Sequence, residues 1–223
     1  MRRNPEVRRP VWPVPVAVFG VMLLAWGLLM ADAAGIGTPA DFGPRTIAVP
    51  QAAGPAPAEG DAVPADRGAG RRGGIAPPPA ELRLPSRDLA APVRPVGVTT
   101  DGTLQLPADP GEVGWWAGGA GAGAASGAAV VAGHVRTVAG GSGVLAALLD
   151  VSEGETVDLV RADGEVVPYR VRSRLSYVKE ELPAELFTGG GPHRLVLVTC
   201  TGDVDPETGS YTRNVVVTAE PAA

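Results

Sequence analysis

Residues 193–200, HRLVLVTC, and residues 213–220, RNVVVTAE, carry the strongest strand signals in the chain. Each is a run of aliphatic and β-branched residues bounded by turn-forming residues, which is typical of a buried strand. Residues 201–210, TGDVDPETGS, form a loop between them. If the two strands pair antiparallel, Cys200 at the end of the first and Arg213 near the start of the second share one rim of the sheet.

Strand signals continue upstream. The runs TVDLVR and VVPYRVRSRL flank ADGE, a hairpin signal through Asp163 and Gly164. In the second run Val167, Tyr169 and Val171 alternate with polar or exposed types, which predicts one dry and one wet face. The runs GTLQLP and GAAVVAGH are two further predicted strands.

Helical signal is sparse in this region. GVLAALLD allows about two turns, and YVKEELPAELF predicts a short element that Pro183 interrupts. The pattern as a whole predicts an all-β, barrel-like domain with a few helical turns in its loops. With aromatic residues at only 4% of the chain, the core must be mainly aliphatic.

The N-terminal residues predict where the protein resides. Residues 1–31 combine a basic start, MRRNPEVRR, with the uncharged run PVWPVPVAVFGVMLLAWGLLMA, which as a helix spans roughly 33 Å, enough for a bilayer core. This predicts a single-pass membrane anchor with the N-terminus in the cytoplasm and the rest of the chain outside the cell. A cleaved signal peptide, with ADAAG at 31–35 as its cleavage site, is the alternative.

The next segment, residues 32–87, is dominated by Ala, Pro and Gly without apolar periodicity. It predicts a disordered tether, which leaves residues 88–219 as the folded domain. The formal net charge of −5 and the absence of a basic face argue against a nucleic-acid partner.

Cys200 is the only cysteine, so it has no partner for an intramolecular disulfide. An unpaired thiol in an exported protein is a candidate nucleophile. A thiol with a pKa of about 8.5 needs a neighbouring cation to favour the thiolate. His134 ends an apolar run at a predicted strand end, and Arg213 is expected on the same rim as Cys200. Imidazole can deliver a proton to a leaving amine and a guanidinium can stabilise an oxyanion, so the three suffice for acyl transfer without a metal or cofactor. A buried, inert thiol remains the alternative.

Two other groups of residues are weaker candidates for a functional site. His193, in the Gly-rich turn GGGPH, is expected to have a surface role. Asp203, Asp205 and Glu207 hint at calcium, but the full ligand pattern with its terminal bidentate acid is missing, so an ordinary turn is expected and no metal site is predicted.

Taken in order along the domain, these motifs resemble a sortase, the membrane-anchored cysteine transpeptidase, of the actinobacterial class E and class F type. AGH at 132–134 is similar to the histidine motif, TC at 199–200 to the cysteine motif, and RN at 213–214 before VVV to the arginine strand. The GTLQLP run and the Gly-Trp that follows it add to the likeness. The resemblance implies a closed eight-stranded β-barrel with short helices in its loops and a catalytic triad of His134, Cys200 and Arg213.

The resemblance also implies a reaction. Cys200 attacks the Thr–Gly bond of an LPXTG-like or LAXTG-like sorting signal on an exported protein, and an amine of the cell wall or of another surface protein resolves the thioacyl enzyme, with no cofactor. A non-catalytic sortase-like module that binds sorting signals or scaffolds surface proteins is the alternative. TGDVD after the cysteine departs from the family pattern, which leaves the substrate preference open.

Overall fold

Short strands of aliphatic residues dominate the computed structural model, which describes residues 35–45, 77–100, 102–137 and 140–222. The predicted anchor, residues 1–31, lies outside the described residues. Within them, no helix has the length and apolar character needed to cross a bilayer. The eight strands are β1 (Pro79–Leu84), β2 (Leu89–Val96), β3 (Val113–Trp116), β4 (Ala128–Gly133), β5 (Thr156–Arg161), β6 (Val166–Val178), β7 (Arg194–Val204) and β8 (Tyr211–Pro221).

The strands close into a barrel in the order β1-β2-β3-β4-β7-β8-β6-β5, with β5 returning to pair with β1. Two pairs are parallel, β2 with β3 and β4 with β7, and the other pairs are antiparallel. The predicted all-β closed barrel of eight strands is therefore confirmed. Closure leaves the sheet without a free edge along most of its length, which removes a common site of aggregation.

Alternation along the strands separates two apolar clusters. Side chains on the inner face, such as Val131, Leu197 and Val217, are completely buried inside the barrel. A second cluster covers the outer face of β4, β7 and β8, where Val130, Val196 and Val216 pack together. One residue therefore separates a core position from a position on the outer surface.

Several predicted elements occur as expected. β5 and β6 form the predicted hairpin, and Gly164 at its turn has the positive φ of 85° that glycine adopts without strain. Tyr169 and Val171 are buried while their polar neighbours are exposed, as the alternation predicts. The predicted helical segments are 3-10 helices, at Val144–Leu149 and on both sides of Pro183 at Lys179–Glu181 and Ala184–Phe187; a fourth is Pro85–Arg87.

The prediction of a strand at GTLQLP is wrong. This segment forms only an isolated bridge, Val98 to Leu104. β1 pairs with residues 89–92 of the preceding strand β2, and the parallel strand β3 pairs with residues 93–96. The segment instead folds back on the residues just before it, where Gln105 N donates to the Gly97 carbonyl and Thr99 N to the Thr103 carbonyl, and it joins no strand of the barrel.

Two parts of the predicted tether, residues 32–87, belong to the folded unit, which begins at Gly35. β1 lies in the barrel wall with Leu82 and Leu84 fully buried, so the barrel begins before residue 88. Gly35–Arg45, here called the N-terminal strap, is held to the barrel by backbone bridges from Ile36 to Gly202 and from Phe42 to Arg174. In both segments the few large apolar residues are interspersed with Pro, Ala and Gly, so composition alone does not predict that they are folded. Residues 46–76 lie outside the described part.

His193 corrects another expectation, since it is only 8% exposed and has a buried structural role. Its Nδ1–H donates to the Gly127 carbonyl at 3.0 Å, which leaves Nε2 to accept from the Tyr169 hydroxyl at 2.8 Å. The Tyr169 oxygen in turn accepts from the Gly123 N–H at 3.0 Å. Burial lowers the pKa of His193 and raises that of Tyr169 to about 12, so both groups remain neutral near pH 7.

Replacing Tyr169 with phenylalanine is expected to destabilise the barrel by about 1–3 kcal/mol, because the ring is kept while His193 Nε2 and the Gly123 N–H lose their partner. The free energy of unfolding from urea titration measures the effect. Val167→Ala, on the same face of the same strand but only partly buried, is a control for loss of packing alone. An unchanged unfolding midpoint for Tyr169→Phe would contradict the role given to this hydrogen-bonded chain.

Candidate active site

The parallel pair β4 and β7 brings His134 and Cys200 side by side. Ala132 pairs with Val198, and both strands continue in the same direction. One residue further, the Thr199 hydroxyl donates to the Gly133 carbonyl at 2.9 Å. Gly133 and Thr199 are therefore also neighbours, in the same register as the paired residues before them. The next residue on each chain is His134 and Cys200. The register therefore places an imidazole and a thiol at neighbouring positions at one end of the barrel.

Cys200 lies on the outer face of β7 and is partly buried. β7 continues beyond it to Val204, so the expectation that Cys200 ends its strand is wrong. Burial raises the pKa of the Cys200 thiol above its ordinary value, and the nearby charge of Lys179 partly offsets this effect. The resting thiol is therefore protonated near neutral pH, and a base must take its proton before it can attack.

His134 is oriented by a single hydrogen bond. Its Nε2 lies 2.9 Å from the Pro107 carbonyl oxygen. Because a carbonyl only accepts, Nε2 carries the proton and donates, and the lone pair of the neutral ring is on Nδ1. The His134 backbone is fixed as well, since its carbonyl accepts from Leu145 N at 3.1 Å. In this tautomer Nδ1 is the ring nitrogen that can accept a proton.

Arg213 lies on β8, the other neighbour of β7. It pairs with Thr201, one position from Cys200, and its Nη2 donates to the Ser176 carbonyl at 3.1 Å. Its Nε is buried without a partner. Next to it, Gly202 has a φ of 85°, and a Cβ there would lie 3.1 Å from Arg213 Cγ. The bulge at Gly202 leaves room for the arginine side chain beside the strand.

The three predicted residues therefore come from three adjacent strands or strand ends and gather at one end of the barrel. Within the described residues no hydrogen bond joins their side chains to one another: His134 bonds Pro107 and Arg213 bonds Ser176. The arrangement brings together a thiol, an imidazole whose Nδ1 can accept a proton, and a guanidinium. Catalytic hydrogen bonds are often long without substrate and tighten when it binds.

An apolar surface leads toward Cys200 on the outer face. It is formed by β3, β4, β6, β7 and β8 and by the Pro183 region. Its buried members are Ala128, Val130, Leu186, Val196 and Val216, and the partly buried side chains packed on them are Trp116, Tyr177, Leu182, Phe187 and Val198. Trp116 and Phe187 meet edge to face with centroids 6.4 Å apart. Such a surface suits the apolar residues of a bound peptide. In the part of the chain that is described, no group of three His, Cys, Asp or Glu side chains forms a metal site.

Comparison with known protein families shows which family this domain belongs to. A model of the sortase domain matches residues 82–222, from β1 to the end of β8. The chain belongs to the sortase family. Among solved structures, a lid mutant of sortase A from Corynebacterium diphtheriae matches with a TM-score of 0.50 and 20% identity, over 66% of this chain and 72% of the other. A lid mutant of sortase C1 from Streptococcus agalactiae matches with a TM-score of 0.50 and 17% identity, over 64% and 68%.

These identities support a shared fold only. No curated protein sequence matches this sortase. The family match begins at residue 82, so it does not include the N-terminal strap.

The strap of this sortase contacts the residues that surround Arg213. The Thr201 hydroxyl, opposite Arg213, is 3.2 Å from the Gly37 carbonyl. Asp41 Oδ1 accepts from Ser176 N at 2.8 Å, while the Ser176 carbonyl accepts from Arg213. A side chain at Gly43, in place of glycine, would collide with the Arg172 carbonyl, which shows how closely the strap follows β6.

Replacing Asp41 with alanine is expected to destabilise the folded unit by about 1–2 kcal/mol, because Ser176 N loses a carboxylate acceptor. Amide exchange at Ser176 should rise with it, and both are measurable on the full chain by urea titration and hydrogen exchange. Asp41→Asn keeps an acceptor and should lose less. Arg45→Ala removes only the exposed ion pair to Asp41 and should cost about 0–1 kcal/mol. Equal losses for Asp41→Ala and Arg45→Ala would contradict this role of Asp41.

Some residues at the site have no strong signal in the sequence. Lys179 is the only lysine, but its proximity to Cys200 depends on how β6 pairs with β8. Asn214 follows Arg213 in the chain, and only the register shows that it faces Cys200. Asp41 comes from a segment whose composition predicts disorder.

Proposed function

We propose that this sortase is a cysteine transpeptidase of the actinobacterial class E or class F type. Cys200 cleaves the Thr–Gly bond of an LPXTG-like or LAXTG-like sorting signal, and the acyl group passes to an amine of the cell wall or of another surface protein. The observation that carries the proposal is the convergence of Cys200, His134 and Arg213 at one end of neighbouring strands in a domain matched by the sortase family.

The order of proton transfers follows from the resting state of the residues. His134 Nδ1 takes the proton of the Cys200 thiol when substrate closes the site, because burial keeps that thiol protonated beforehand. The thiolate sulfur attacks the threonyl carbonyl carbon, and the carbonyl electron pair moves to oxygen. Collapse of this oxyanion breaks the C–N bond, and the imidazolium returns its proton to the departing glycine amine.

The second half reverses these steps with a new amine. The acceptor amine attacks the thioester carbon as His134 removes its proton, the C–S bond breaks as the amide forms, and the departing Cys200 sulfur takes that proton back from the imidazolium. Arg213 holds the substrate and its developing negative charge, which requires its guanidinium to exchange part of its contact with the Ser176 carbonyl for the substrate. The apolar outer surface beside Cys200 binds the hydrophobic residues of the signal.

The proposed location follows from the predicted anchor. Residues 1–31 span the cell membrane once with the N-terminus in the cytoplasm, and the catalytic domain meets exported substrates outside the cell. Protease treatment of intact cells tests this: the barrel is expected to be degraded while the N-terminal residues are protected. Protection of the barrel would contradict the proposed topology.

Intact mass spectrometry of the full chain, purified in mild detergent, tests the activity. The chain is incubated with LPXTG-type and LAXTG-type peptides, and Cys200→Ala serves as the control. A mass increase that matches the acyl fragment, that hydroxylamine removes and that the variant lacks would establish the thioacyl enzyme and identify the motif. Peptide binding without an adduct would instead favour a non-catalytic module that binds sorting signals.

A further inference from the structure

Asn214, and not Arg213, is the residue directly opposite Cys200. The antiparallel ladder of β7 and β8 pairs Cys200 with Asn214, and Arg213 with Thr201. Directly opposed residues share a face of the sheet, and their Cβ atoms lie about 4.5–5.5 Å apart. The preceding pair, Val198 with Val216, belongs to the outer apolar cluster, so Cys200 and Asn214 continue that outer face.

By the alternation of the strand, Arg213 belongs to the inner face of the barrel wall. Its neighbour Val215 is in the core inside the barrel, and alternation gives Arg213 the same side. Its guanidinium is occupied by the Ser176 carbonyl. An arginine in this position must turn around the bulge at Gly202 to reach the outer face, whereas Asn214 is there already.

The Asn214 side chain is buried but has no partner. Asn214 is only 6% exposed, and its amide makes no hydrogen bond among the residues that are described. It is not among the fully sealed polar atoms without a partner, which include Arg213 Nε and Ser176 Oγ, so it remains accessible to a small group. The donor capacity of this amide is therefore available to a group that binds beside Cys200.

We propose that Asn214 is a catalytic residue whose side-chain N–H donates to the oxyanion formed when Cys200 attacks a carbonyl. The Sγ–C bond forms, the carbonyl electron pair moves to oxygen, and Asn214 Nδ2 stabilises that charge until the leaving group departs and the carbonyl re-forms. A neutral amide serves this purpose without lowering the pKa of the thiol in the resting enzyme. The inference rests on the proposed function, since both place acyl transfer at Cys200.

Two reagents separate this role from a general effect on the thiol. p-Nitrophenyl acetate acylates a thiolate through an oxyanion and releases p-nitrophenolate. Iodoacetamide alkylates the same thiolate by displacing iodide, with no oxyanion. Because both reactions need the thiolate, the ratio of their rates cancels changes in pKa and in access. Cys200 is the only cysteine, so a hydroxylamine-labile acetyl adduct missing from Cys200→Ala reports this site alone.

In the full chain, Asn214→Ala is expected to lower the ratio of acylation to alkylation by about tenfold to a hundredfold. Asn214→Asp should lower it at least as much, because the ionised carboxylate keeps the volume of the amide but only accepts. Having nearly the same shape, it also provides a second variant should the alanine variant fold poorly. Thr212→Ala, exposed and close along the strand, should leave the ratio unchanged.

A ratio in both Asn214 variants equal to that of the unmodified chain would overturn the proposal, as would a Cys200 that iodoacetamide alkylates but the ester never acylates. These results are distinct from failure of the proposed function. If no sorting peptide acylates the chain while the ester does, and the Asn214 variants lower the ratio, transpeptidation is wrong and the role of Asn214 stands.

Discussion

Replacing Cys200 with alanine is expected to abolish the thioacyl adduct and lower turnover of sorting peptides by at least about a thousandfold. The chain has no other thiol to replace it, and in the proposed mechanism every covalent step passes through this sulfur. Cys200→Ser should be impaired almost as severely, because a hydroxyl is far less acidic and is a much poorer nucleophile near neutral pH.

The matched measurement is peptide binding to the Cys200→Ala variant. Cys200 is partly exposed at the end of the apolar surface, so its loss should change the unfolding midpoint little and leave affinity for the peptide intact. Residual turnover near the original rate, with the variant confirmed by mass, would exclude the cysteine mechanism. Loss of binding together with loss of turnover would point to a damaged site instead.

Replacing His134 with alanine is expected to lower kcat by about 10²–10⁴-fold with a much smaller change in KM. The reason is the raised pKa of Cys200: a thiol that is protonated near neutral pH depends on a base, and His134, its neighbour by register, offers Nδ1 as one. Single-turnover acylation, followed by quenched mass spectrometry, separates this step from product release.

Two variants sharpen the result. His134→Gln retains an amide that can donate to the Pro107 carbonyl but has no basic nitrogen, so it should be as slow as His134→Ala. His193→Gln changes the other histidine, which is buried away from the thiol, and should affect stability more than acylation. Full activity in His134→Gln would show that the imidazole serves only to fix the loop.

Much of the fold was predictable because it depends on local periodicity. The run LVLV before Cys200 and the run VVV after Arg213 specify two central strands, and the ADGE turn specifies the hairpin between β5 and β6. GTLQLP shows the limit of such reasoning: its residues suit a strand, but the segment pairs only with the residues just before it and joins no strand of the barrel. The strap shows the opposite case, in which a Pro-rich, Gly-rich segment is held by backbone pairing to strands far along the chain.

By itself, the sequence determined the chemistry available to this protein: one thiol, two histidines and an arginine on a predicted strand, in a β domain after an apolar N-terminal segment. The tertiary structure alone decided which groups meet. The parallel pairing of β4 with β7 brings His134 to Cys200, the Tyr169 pairing buries His193, and the register of β8 places Asn214 opposite the thiol. The physical reason is that side chains alternate along a strand. A shift of one residue in register moves a group to the other face, and register is set by contacts between strands distant in the chain.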